Sequence, residues 1–200
     1  MFRYARTLGL GLALSAAIGL LTAGSAIRAA DDDDEVKMTK SAGKDIADLA
    51  KQIEAGKDVK ALAAKIDKKY EDLKPLMDAA FKPRDKYGIG VGPKGKGDGI
   101  EVKIQNMSKR ALAAATLAKQ KEALLKMGYI NLAIAEVTML RSVKPKGGKG
   151  PKEWKSHTEE MKQGALELIK AVKSGNPAAV KTASLKLEGS CTNCHSDFRD

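Results

Sequence analysis

The chain has 200 residues, of which 43% are hydrophobic, 30% charged and 4% aromatic. That length allows one domain with a modest core, and the abundance of Ala, Leu, Lys and Glu over aromatics excludes a sandwich or barrel. The formal net charge of +11 points to acidic protein partners. No nucleic acid is expected, because no aromatic residues interleave with the lysines as a stacking surface would need.

Residues 1–30 have the layout of a secretory signal peptide. Arg3 and Arg6 form a positive start, Leu8 to Ala23 is uncharged and apolar, and small residues follow to Ala30. The alternative is an uncleaved anchor, but the apolar run is 16 residues, short of the ~20 that span a bilayer. Cleavage is expected between Ser25 and Ala30, leaving a single exported helical domain over residues 31–200 in the periplasm or an equivalent compartment. Losing Arg3, Arg6 and Arg28 and no acid lowers the net charge from +11 to +8.

The mature chain opens on the acidic run Asp31 to Glu35, either a solvated tail or the acidic start of a helix. Ile46, Leu49 and Ile53 recur at helical spacing from about Val36 to Ile53, and Gly56 interrupts them. Asp58 can cap a second helix, expected from Val59 to about Phe81 through Leu62, Ile66, Tyr70, Leu73 and Met77. Residues 82–99 hold six glycines and two prolines and read as a flexible connection. The Gly88–Gly92 stretch lacks the strand and spacing of a nucleotide loop.

Helical periodicity resumes at Ile100 and persists to about Leu140. One 40-residue helix would be ~60 Å long, so a short helix near 101–110 and a bundle helix from about Thr116 to Arg141 are expected. Lys144 to Lys152 is a loop with four lysines and no acid. Pro151 suits the first turn of a helix to about Val172, with Trp154, Met161, Ala165, Leu168 and Val172 on one stripe. Asn176 then caps a last helix with Pro177 at its first position, and Val180, Ala183, Leu187, Cys191, Cys194 and Phe198 share one face. Every segment reads as helix or loop, and the fold class is all-α.

The two cysteines of the chain are Cys191 and Cys194, and His195 follows at once. C-x-x-C-H is the attachment signature of c-type haem. Two sulfurs almost one helical turn apart can reach both vinyl groups of one porphyrin, and the adjacent imidazole can reach its iron. A disulfide is the ordinary reading of two cysteines in an exported chain. A thioredoxin-like pair wants a βαβ setting that is absent here, and a bare metal site is the remaining alternative.

The run Cys191-Thr192-Asn193-Cys194-His195-Ser196-Asp197-Phe198-Arg199, at the C-terminal end of a helical chain, resembles the C-x-x-C-H-x-x-[YF]-R ending of the class II c-type cytochromes. This is the cytochrome c′ family, and Trp154 opening the third bundle helix is similar too. The resemblance is carried over residues 120–200, and the chain before it is longer than in typical members. It implies an up-down four-helix bundle with extra N-terminal helical segments. It also implies one covalently attached haem c, with thioethers to Cys191 and Cys194 and His195 as proximal iron ligand. Phe198 and Arg199 would lie beside the haem, although Arg199 can equally be a charge favouring the helix C-terminus. Pairing of two copies through the first two helices is a further implication.

The sixth position of the iron separates two functions. A methionine ligand makes electron transfer the natural role, whereas an apolar cover leaves a five-coordinate iron that binds diatomic gases such as NO or CO. The family places the distal residue on the first bundle helix, so Met38 is the candidate if the bundle opens near residue 36 and Met107 if near 101. His157 is the other histidine; it can share a face with Trp154 and Met161 and is an alternative ligand, with a helix-surface position as its default. One-electron carriage is the expected function and gas binding the alternative. A haem peroxidase is a third reading, for which two histidines leave little acid–base capacity. In an up-down bundle the Lys144–Lys152 loop falls near the haem end, where its lysines could steer acidic redox partners or serve solubility alone.

Overall fold

The computed structural model describes residues 23–95 and 97–199, with side chains from residue 33. Among these the secondary structure is helical: α1 (Ala23–Glu54), α2 (Lys60–Lys69), α3 (Lys74–Phe81), α4 (Ile100–Lys109), α5 (Ala114–Thr138), α6 (Pro151–Ser174) and α7 (Pro177–Phe198). A short 3₁₀ turn covers Arg84–Lys86. The chain divides into two compact units, residues 1–34 and 35–200. Residues 1–22 of the expected signal peptide lie outside the described residues, and Ala23 onward belongs to α1, which runs through the acidic 31–35 stretch. No described helix is long and apolar enough to cross a membrane.

In the second unit α5, α6 and α7 run up and down beside one another, and α4 packs on α7. The centre is α5: residues 127–135 are buried without interruption, the mark of a helix surrounded on all sides. The stripe read from α6 is inside, with Trp154, Met161, Ala165, Leu168 and Val172 all buried. On α7 the inner line is Val180, Ala183 and Leu187. Asn176 caps that helix as its sequence suggests, its Oδ1 accepting from the backbone N–H groups of Ala178 and Ala179 at 3.0 and 3.1 Å.

Two expectations need correction. The single helix over 59–81 is two helices, because Tyr70 turns to an extended conformation after α2 and Pro75 has no N–H for the carbonyl four residues back. Pro75 instead occupies the first turn of α3, where proline is favoured. Asp58 does accept from Lys60 N–H, at 3.1 Å.

The 82–99 segment is a closed loop and not a flexible connection. Asp98 is buried and accepts from Arg84 twice, from Nη1 at 2.8 Å and from its backbone N–H at 3.1 Å. Both Arg84 amino groups also donate to the Gly92 carbonyl at 3.2 Å. The Val91 N–H donates to the Asp98 carbonyl at 2.8 Å, and Val91 is fully buried. At Gly88 a Cβ would fall 1.8 Å from the Lys82 carbonyl oxygen, so only glycine fits that crossing. The loop is held by an ion pair and backbone bonds, and it delivers the chain to the start of α4 in a set position.

Candidate haem-attachment site

Cys191 and Cys194 stand on the C-terminal part of α7, continuing the line of Val180, Ala183 and Leu187. Three residues place them about 60° apart around the axis and about 4.5 Å apart along it. Both are free and half-buried. Burial pushes both thiols up to about 11, so each keeps its proton at neutral pH. His195 is an exposed residue on the flank next to Cys191. Crowding of its ring by neighbouring chain, and then Arg199, hold its pKa below the usual value, against the opposing charge of Glu101.

Glu101 is in the first turn of α4, and its charge reaches both Cys191 and His195. The start of α4 therefore faces the flank of α7 that carries the imidazole. Of the two candidate methionines, Met38 is 48% exposed on α1, whereas Met107 is buried on α4. Met107 lies about 9 Å further along α4 than Glu101 and about 120° round it, on the buried face with Ile100 and Ile104.

The opposite flank of α7 meets α6. His157 is not a surface histidine: its side chain is 14% exposed, and its Nε2 lies 2.9 Å from Asp197 Oδ2. Phe198 lies edge-on to Trp154, with ring centroids 5.3 Å apart, and Trp154 Nε1 donates to the Thr138 carbonyl at 2.9 Å. Arg199 is exposed, with its N–H donating to the His195 carbonyl at 3.0 Å.

The 144–152 loop adjoins the same end. Lys146 and Lys149 exchange both backbone hydrogen bonds around Gly147 and Gly148. Lys146 Nζ then reaches the Arg199 carbonyl at 3.1 Å and Lys149 Nζ reaches Asp197 at 3.5 Å. The sequence alone did not indicate His157 or Glu101 as neighbours of the motif, nor that His157 would meet Asp197 inside it. A hint for the first was its place on the Trp154–Met161 face.

The donor set fits covalent haem. Two free thiols share the inner face of one helix, an imidazole adjoins them, and no group of three His, Cys, Asp or Glu side chains among the described residues is gathered for a bare metal ion. Together with the up-down helices this defines a helical c-type haem protein. The Cytochrome C' family model matches residues 98–199, half of the chain, and the chain belongs to that family. Family members carry covalently attached haem c, and the first matched helix here is α4. No curated protein and no solved structure matches the chain.

Proposed function

We propose that this c-type cytochrome is an exported one-electron carrier. Haem supplies the Fe(III)/Fe(II) couple; in this reading Cys191 and Cys194 hold it by thioethers, and His195 is the proximal ligand. The observation that carries the reading is the position of the motif, in the last turns of α7 with His195 exposed and a lysine-bearing loop alongside. A haem edge close to the surface suits transfer to a docked partner. Acidic proteins are the partners that Lys144, Lys149 and Lys152 would attract. Of the two histidines, His195 serves as iron ligand in this reading and His157 is bonded to Asp197, which leaves little acid–base capacity beside the iron.

One observation favours a second reading, capture of NO or CO at a five-coordinate iron. Met38 is half-exposed on α1, and Met107 is two turns beyond the part of α4 that faces His195. Optical spectra of the reduced protein with and without CO decide between the two. An unchanged spectrum supports the carrier with a filled sixth position, and immediate CO binding supports the gas site.

A further inference from the structure

His195 sits in the last turn of α7, where the backbone has few bonds of its own. Its carbonyl accepts from Arg199 N–H at 3.0 Å. Four ties from outside the helix converge on the residues that follow it. Asp197 meets His157 Nε2 at 2.9 Å and Lys149 Nζ at 3.5 Å, Phe198 meets Trp154 edge-on at 5.3 Å, and the Arg199 carbonyl accepts from Lys146 Nζ at 3.1 Å. Trp154 is itself anchored to Thr138 on α5.

The ties lie on the flank of α7 away from Glu101, so they restrain the turn without touching the imidazole that it presents. His157 is mostly enclosed, and an imidazole taken out of water needs a bonded partner. The Asp197 carboxylate supplies that partner at Nε2.

We propose that the His157–Asp197 pair positions the haem ligand: it keeps the last turn of α7 wound against α6, so that His195 meets the iron at one fixed angle. This rests on the reading of His195 as the proximal ligand. His157 and Asp197 are positioning residues, acting through the backbone of the turn that they clasp. Outer partners that orient a ligating histidine tune the metal as well as hold it.

The test uses the full-length, haem-loaded protein and its His157→Ala, Asp197→Asn and His157→Gln variants, read by redox titration and by the ferric EPR spectrum. His157→Ala and Asp197→Asn are expected to shift the Fe(III)/Fe(II) equilibrium about tenfold, ~59 mV for one electron, with broadened EPR lines. His157→Gln, whose amide can still donate to Asp197, is expected to restore most of the wild-type value. If His157→Ala fails to load haem, Asp197→Asn carries the comparison. A lowered melting temperature with unchanged potential and EPR spectrum overturns the proposal. His195→Ala separates the two ideas. If the wild-type axial signature survives that change, the ligand assignment fails and the positioning role falls with it. If it is lost while His157→Ala and Asp197→Asn leave the potential in place, the positioning role alone fails.

Discussion

Gly128 of α5 lies so close to Ile169 of α6 that a Cβ at position 128 would stand 2.6 Å from the Ile169 Cγ1. The two helices pack tightly here, where Ile169 is β-branched and stiff at χ1. Replacing Gly128 by Ala would gain about 0.5–1 kcal/mol of helix propensity. It would cost about 1–3 kcal/mol in overpacking. Gly128→Ala is therefore expected to melt several degrees below the wild type, and a higher melting temperature would show that the α5–α6 contact can yield.

Asp45 ties α1 to α2. Tyr70 Oη donates to it at 2.7 Å and Lys69 Nζ at 2.6 Å. Burial alone would raise its pKa, but the bonds from Lys69 and Tyr70 outweigh that and lower it from 3.8. The folded state thus binds this proton less tightly than the unfolded chain does, and the stabilisation is present above pH 3.8 and lost as pH falls through the lowered value. Asp45→Asn is expected to cost about 1 kcal/mol at neutral pH and to flatten the fall of stability in acid. Parallel acid melting profiles for the two proteins would refute this account of the tie.

Removal of the thiols tests attachment directly. Cys191→Ala is expected to leave one thioether, shifting the reduced pyridine haemochrome band to longer wavelength because one vinyl group stays conjugated. With both cysteines replaced, acidified acetone should extract the haem. Haem that resists extraction from the double variant would mean that it is fastened elsewhere.

The lysines of the 144–152 loop are expected to act on association rate. Electron exchange with an acidic protein should slow as salt rises, since the Debye length shrinks from ~10 Å at 0.1 M to ~3 Å at 1 M. Lys144→Glu with Lys152→Glu should slow it at low salt and flatten that dependence. Exchange rates indifferent to ionic strength would leave the loop with solubility as its role.

What could be read beforehand was what is local. The Asn176–Pro177 start of α7 and the stripe down to Phe198 follow from caps and a 3.6-residue period, which neighbouring residues determine among themselves. The break at Tyr70 was hidden because Ile66, Tyr70, Leu73 and Met77 keep helical spacing across it, and Pro75 was the one contrary signal. The 82–99 loop looked mobile from its glycines, but its closure depends on Arg84 meeting Asp98, 14 residues on. His157 and Asp197 are 40 residues apart, and nothing short of the packed bundle brings them together. The standing of Met38 and Met107 likewise depended on which helix lies against α7.

The cap at Asn176 has a consequence at the other end of the same helix. Each residue of α7 adds about 100° of rotation, so the N-terminal start and the Val180–Leu187 contacts with the core set the compass bearing of Cys191, Cys194 and His195. One residue inserted between Leu187 and Cys191 would swing all three about 100° around the axis and carry Asp197 away from His157. Seven inserted residues, close to two full turns, would nearly restore the bearing while moving the motif ~10 Å outward. The spacing between the core of α7 and its haem motif is thus a ruler with a phase as well as a length.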